Sequence, residues 1–72
     1  MIADEALAAK VKTELGVRDL KEKGEIKVRS ENGTITLLGE VDNLDTKKAA
    51  EDAALSVMEV LGVDNQLDVK EL

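Results

Sequence analysis

Residues 24–41 read GEIKVRSENGTITLLGEV, and this stretch decides the fold. It contains two runs of alternating apolar and polar residues, joined by Asn32-Gly33. A two-residue turn of type I′ needs a positive φ at both central residues, and Asn and Gly tolerate that conformation. The stretch therefore predicts a β-hairpin, and the rest of the chain is expected to cover one of its faces.

The turn also determines which residues of the two strands lie opposite one another. With two residues in the loop, Glu31 faces Thr34, and the later pairs alternate between the two faces of the hairpin. One face holds Ser30–Ile35, Val28–Leu37 and Ile26–Gly39, and the other holds Arg29–Thr36 and Lys27–Leu38. This register collects the apolar residues on one face, and a shift of one residue would turn them toward water.

Gly39 interrupts the second strand of the hairpin, where a glycine costs backbone entropy and offers no side chain for packing. The favoured interpretation is local: a β-bulge, or space for Ile26 or for a helix packed closely above the strand. The alternative is a close approach of a ligand to the backbone at this position.

The segment before the hairpin predicts a helix over residues 3–16, because its apolar residues recur at helical spacing. Asp4 is expected to cap the N-terminus of this helix and Gly16 to end it. In the polar connection that follows, Val17 and Leu20 are expected to pack inward. The apolar stripe of the helix consists of Leu7, Val11 and Leu15.

A second helix is predicted over roughly residues 45–60, with Asp45 or Asn43 as its N-cap and Gly62 ending it. The same acids and amides could suggest a calcium loop, but such a loop needs further oxygen ligands, a central glycine and a bidentate Glu. Turn and cap chemistry is therefore favoured. The helix is expected to form the i,i+4 ion pairs Lys47–Glu51 and Lys48–Asp52 on its solvent-exposed face. Its apolar face consists of Ala50, Ala53, Ala54, Val57 and Leu61.

The last segment alternates again and predicts a third strand, in which Asn65 falls on the apolar side and is expected to satisfy a backbone group. The predicted fold is α+β, a single domain over residues 1–72 in the order α-β-β-α-β. Both helices are expected on one face of a three-stranded sheet. Pairing of the third strand with the first or the second stays open. The polar open face would carry Lys27, Arg29, Thr34, Thr36, Leu38, Gln66, Asp68 and Lys70.

The composition limits the chemistry that this domain can perform. The chain has 72 residues, a net charge of −6, and no His, Cys or aromatic residue. An acidic surface without aromatic side chains argues against nucleic-acid binding. The usual zinc ligands and the usual proton shuttle are missing, so we expect no catalytic residues, metal site or cofactor. The core must be built from small aliphatic side chains, which makes self-association a reasonable expectation.

The whole pattern resembles the BON domain family, named for bacterial OsmY and nodulation proteins. The central piece, Asn32-Gly33-Thr34-Ile35-Thr36-Leu37-Leu38-Gly39-Glu40-Val41, is similar to the family's N-G-x-V-x-L-x-G-x-V run. The end of the chain is similar to its G-V-x-x-V-x-N-x-L-x-V run through Val60, Val63, Asn65, Leu67 and Val69. Glu59 stands where that run has its first glycine, which leaves the end of the second helix open.

This resemblance implies a non-catalytic binding or attachment module of the bacterial membrane or cell envelope, connected with osmotic stress. Its expected partners are a phospholipid surface or a protein. The alternatives are a potassium-like ion sensor and a self-associating adaptor. No leader or membrane span is visible in the chain, so an envelope location would require excision from a longer precursor, and a cytoplasmic location is the other possibility. The motif positions, assigned structural roles only, are Asn32, Gly33, Gly39, Gly62 and Asn65.

Overall fold

A computed structural model describes residues 3–20 and 24–70 of the chain. The elements follow the predicted order, with two helices and one three-stranded sheet. Lys21, Glu22 and Lys23, expected to be solvated, lie outside the described residues. The elements are α1 (Asp4–Val17), β1 (Gly24–Glu31), β2 (Thr34–Val41), α2 (Leu44–Leu55) and β3 (Gly62–Val69).

The hairpin has the predicted register along its whole length. Glu31 lies opposite Thr34, and each later pair matches the expectation, ending with Gly24 opposite Val41. Asn32 and Gly33 have φ values of 52° and 86°, as a two-residue turn requires. The strand order is β1-β2-β3, and β3 runs parallel to β2. This settles the partner of the third strand, which the sequence left open.

Helix α1 differs from the prediction at both ends. Ala3, in an extended conformation, is the N-cap, and the carboxylate of Asp4 instead accepts a hydrogen bond from the Ser30 hydroxyl at 3.0 Å. Gly16 does not end the helix, which continues through Val17. The chain leaves the helical conformation at Asp19, whose positive φ of 57° supplies the left-handed residue that glycine was expected to provide.

Helix α2 begins as predicted and ends early. Asn43 is the N-cap, and its side-chain oxygen accepts from the Thr46 N–H at 2.8 Å. The helix ends at Leu55, well before residue 60, and the N–H groups of Val57 and Val60 each bond to the carbonyl three residues back, in tighter turns. The Ser56 hydroxyl donates to the carbonyl of Ala53 at 2.6 Å. The expected ion pairs of this helix, Lys47–Glu51 and Lys48–Asp52, are not formed within 4.0 Å among the described residues.

Both helices cover the same face of the sheet, as predicted, and one core lies between them and the strands. Leu20 packs into this core, but the expectation for Val17 was wrong, since this residue is 72% exposed. Val17 follows the last buried position of α1 and lies on the face of the helix that points away from the sheet. The buried apolar residues are Leu7, Val11, Leu15, Leu20, Ile35, Leu37, Val41, Ala50, Ala53, Ala54 and Leu67.

Gly39 is required by its own backbone and by the neighbouring strand. Its φ is +126°, and a Cβ at this position would lie 1.9 Å from the Glu25 carbonyl oxygen. The register continues without interruption past Gly39, so the expected bulge is absent here. The close approach comes from the backbone of β1. Gly62, by contrast, has no positive φ and no atom within 4 Å of an added Cβ. It is the first residue of β3 and does not end the second helix, so that prediction was wrong.

Asn65 joins β3 to α2 through the two ends of its side-chain amide. The nitrogen donates to the carbonyl of Lys47 at 2.8 Å, and the oxygen accepts from the Leu67 N–H at 3.2 Å. The prediction that Asn65 satisfies backbone groups is confirmed. Its side chain therefore connects the first turn of the second helix to the edge of the sheet.

We expect Asn65→Ala to lower the free energy of unfolding by about 1–3 kcal/mol, because two partly buried backbone groups lose a partner. Urea unfolding followed by circular dichroism measures the change. Gln66→Ala is the matched control, since the one side-chain partner of the Gln66 amide among the described residues is the exposed Asp64 carboxylate. The control should change stability by less than about 0.5 kcal/mol. Equal losses in the two variants would contradict this role for Asn65.

Candidate binding surface

Three large aliphatic side chains lie exposed where α2 ends and β3 begins. Met58 is 94% exposed and Leu61 is 81% exposed, and Leu55 is about half exposed. β3 starts beside Thr34, so this segment shares one end of the molecule with the hairpin turn. We call the surface formed by Leu55, Met58 and Leu61 the apical surface. Water gains order around such side chains, so their exposure favours contact with an apolar partner.

The apical surface is held in place by the hairpin turn and by the core. The Leu61 N–H donates to the Gly33 carbonyl at 2.8 Å. The Leu61 side chain covers Gly33 so closely that a Cβ on Gly33 would lie 2.8 Å from the Leu61 Cδ1. Val57 and Val60 point the other way and pack against the core. This alternation leaves Met58 and Leu61 facing outward on a turn that is anchored on both sides.

A shallow groove of about 430 Å³ adjoins the apical surface, between α1 and the turn after α2. An ion pair between Lys10 of α1 and Glu59 of the turn crosses it. Glu59 accepts a hydrogen bond from the Lys10 ammonium group, so α1 is tied to the segment that carries Met58. The groove is lined by Ala9, Lys10, Thr13, Glu14, Val57, Met58 and Glu59.

The hydrogen bond from Lys10 lowers the pKa of Glu59 below its ordinary value of 4.5, helped by the backbone N–H of Glu59 itself. A carboxylate with a lowered pKa contributes stability above its unfolded pKa, and the contribution is lost as the pH falls through the folded pKa. We expect an NMR titration to place the Glu59 midpoint below 4.5, and Lys10→Met to raise it.

Lys12→Met is the control for this titration, because Lys12 is an exposed lysine on the same helix and forms no ion pair with the described residues. It should leave the Glu59 midpoint unchanged. If both lysine variants raise the pKa of Glu59 equally, the general positive charge of α1 and not the Lys10 contact would be the cause.

The open face of the sheet has a regular arrangement of charges. Strand register places Glu25, Glu40 and Asp68 in one row across the three strands. In the part of the chain that the structure describes, no group of three acidic side chains has the geometry to hold a metal ion. The ion-sensing alternative stays a prediction. Of the residues predicted for this face, Thr36 and Leu38 are partly buried, and the exposed ones are Lys27, Arg29, Thr34, Gln66, Asp68 and Lys70.

The motif positions singled out in the sequence are spread over the fold. Asn32 and Gly33 adjoin the apical surface, whereas Gly39 and Asn65 lie elsewhere in the sheet, so these positions do not form one site. The exposed Met58 was missed from the sequence, and Leu61 was expected on the buried face of a helix. A signal was present: Met58 directly follows Val57, and a single helical face cannot bury both of these neighbours.

The sequence model of the BON domain matches residues 3–71, nearly the whole chain. The chain belongs to the BON domain family. This match confirms the resemblance found in the hairpin and the final strand. BON domains are a non-catalytic family of binding or envelope-associated modules. No curated protein sequence matches this BON domain significantly. Within its described residues, no helix combines the length and apolar character needed to cross a membrane.

Proposed function

We propose that this BON domain attaches to the phospholipid surface of a bacterial membrane through its apical surface. The observation that supports the proposal is the exposure of Leu55, Met58 and Leu61 on one anchored turn. The family's connection with the cell envelope and osmotic stress extends the proposal to a stress-related role there. A protein was the other expected partner, and the vesicle experiment below tests the lipid proposal without any protein partner.

The expected attachment is weak and reversible. Complete burial of one aliphatic side chain contributes about 1.5–3 kcal/mol. Three side chains therefore supply roughly 4.5–9 kcal/mol at most, from which the entropy lost on docking is subtracted. A domain bound this weakly would dissociate readily, so its binding should depend strongly on the local lipid concentration.

Charge sets the preferred type of lipid. The chain carries a net charge of −6, which anionic head groups repel. The apical surface should therefore enter zwitterionic membranes more readily than anionic ones. Added salt screens the repulsion, so we expect binding to anionic vesicles to rise with salt concentration.

Vesicle flotation tests the proposal with the chain alone and with two paired variants. Met58→Ser/Leu61→Ser removes the apical contacts, and Val17→Ser/Leu44→Ser removes two exposed aliphatic residues at the opposite end of the helices. We expect the wild type and the second variant to float with phosphatidylcholine–phosphatidylethanolamine vesicles, and the first variant to stay at the bottom.

Two results would overturn the lipid proposal. One is an absence of flotation with both zwitterionic and phosphatidylglycerol-containing vesicles. The other is an equal loss of binding in the two paired variants, which would show that any exposed aliphatic residue serves. Because all four positions are exposed by half or more, the substitutions should leave the fold intact, and circular dichroism checks this.

A further inference from the structure

The sheet has two edges, and within residues 3–20 and 24–70 the edge formed by β1 presents backbone groups without a partner. The Glu25 carbonyl points toward β2, since its oxygen would lie 1.9 Å from a Cβ added to Gly39. Backbone direction alternates along a strand, so Ile26, Val28 and Ser30 direct their N–H and C=O groups away from β2. Among the described residues, these groups form no backbone hydrogen bond outside the sheet.

The edge formed by β3 is less available. The Lys70 N–H donates to the Val41 carbonyl at 2.7 Å, so the even-numbered residues of β3 face β2 and the odd-numbered ones face outward. One outward donor, the Leu67 N–H, is already bonded to the Asn65 side chain. A side chain that occupies an edge donor weakens pairing with another strand. The edge of β1 is therefore the one open to a partner strand.

We propose that the β1 edge pairs with the β1 edge of a second copy of this chain, antiparallel about a two-fold axis. The helix-covered faces of both copies must lie on the same side of the joined sheet. This condition leaves two registers with the greatest overlap of the two strands. In one, Lys27 faces Lys27 of the second copy, and Glu25 faces Arg29 of the second copy on either side. In the other register, Val28 lies opposite Val28 of the second copy.

Charge distinguishes these two registers. When Val28 faces its own copy, Glu25 lies opposite Glu31 and Lys27 lies opposite Arg29, so the directly opposed charges on the open face are alike and repel. When Lys27 lies opposite Lys27 of the second copy, Glu25 and Arg29 of the two copies form two attractive pairs. The two lysines at the axis form one repulsive pair. The charge pattern of β1 is therefore complementary to itself in the register centred on Lys27.

The same register also improves the burial of apolar side chains. Ile26 and Val28 are only partly buried at the rim of the core. Pairing places Ile26 beside Val28 of the second copy on the helix-covered face, and both residues have their backbone groups directed outward. The contact thus combines ladder hydrogen bonds, two opposite-charge pairs and further burial of an aliphatic rim.

A single-cysteine variant tests the register directly, because the chain contains no other cysteine. Residue 27 would form a non-hydrogen-bonded pair with its copy, at a Cα separation of about 4.5 Å, which a disulfide can span. We expect Lys27→Cys to form a covalent dimer at least ~10-fold faster than Gln66→Cys under mild oxidation, because pairing raises the effective concentration of the thiol. Gln66 is exposed on the same face, on the opposite edge strand.

Charge reversal gives a second test that needs no cysteine. Sedimentation equilibrium should show a wild-type dimer at high concentration, a loss of dimer in Arg29→Glu, and its recovery in Glu25→Arg/Arg29→Glu. Cross-linking of Lys27→Cys at the Gln66→Cys rate would overturn the proposal, as would a monomeric wild type at ~1 mM, where even weak specific pairing is populated. Neither result depends on whether the domain binds lipid.

Discussion

Gly39→Ala should lower the free energy of unfolding by ~3 kcal/mol or more, because the backbone conformation strongly disfavours a side chain and the space for one is taken. The φ of +126° is one that L-amino acids rarely adopt. The new Cβ would also lie 1.9 Å from the Glu25 carbonyl oxygen, so the strands must separate locally. A domain of this size has a total stability of roughly 4–11 kcal/mol, so a large share would be lost.

Thermal and urea unfolding measure this loss, with Gly16→Ala as the matched control. Gly16 lies within α1 and has no neighbouring atom within 4 Å of an added Cβ. Alanine there should stabilise the domain by about 0.5–1 kcal/mol, because it favours the helix. Replacement of glycine by alanine should thus lower the free energy of unfolding at Gly39 and raise it at Gly16. A loss at Gly39 below ~1 kcal/mol would show that the strand relaxes easily around a side chain.

The hairpin could be predicted in detail because two independent signals agreed on one register. Asn32-Gly33 specified a two-residue loop, and the alternation of the flanking runs required the apolar residues to share a face. The role of Asn65 was also predictable, since an amide on the apolar side of a strand needs a backbone partner, whereas Asn43 was one of two expected caps. Each of these features depends on local geometry.

The end of α2 and the exposure of the apical surface could not be predicted in the same way. The spacing of Val57 and Leu61 continued the apolar stripe of the helix, and Gly62 was expected to end it. The sequence therefore predicted a helix that was too long. The competing interaction is tertiary: the Leu61 N–H bonds to the Gly33 carbonyl of a distant turn. The chain must leave the helix in time to reach the sheet, and the spacing of apolar residues carries no information about that distance.

The central position of β2 did have a signal in the sequence. On the open face, β2 carries the uncharged residues Thr34, Thr36 and Leu38 and only then a charged one, Glu40. Every open-face residue of β1 is charged. Charged side chains are typical of edge strands, which must avoid unwanted pairing. This contrast favours β2 as the strand flanked on both sides, and it therefore favours pairing of β3 with β2.

The second large effect is expected for Leu37→Ala, with a loss of about 2–5 kcal/mol in the free energy of unfolding. Leu37 is 0% exposed on the central strand, opposite Val28 and beside Asn65. The core contains no aromatic side chain that could shift to fill the space, so a cavity should remain. Urea unfolding of the purified variant gives the value.

Leu38→Ala is the matched control, because it removes the same atoms from the adjacent residue of the same strand. Leu38 lies on the open face between Lys27 and Gln66, and its partial exposure limits the expected loss to about 1 kcal/mol. The order of the two losses reports the register itself, since a shift by one residue would bury Leu38 and expose Leu37. A larger loss for Leu38→Ala would therefore refute the hairpin pairing from which the positions of both helices follow.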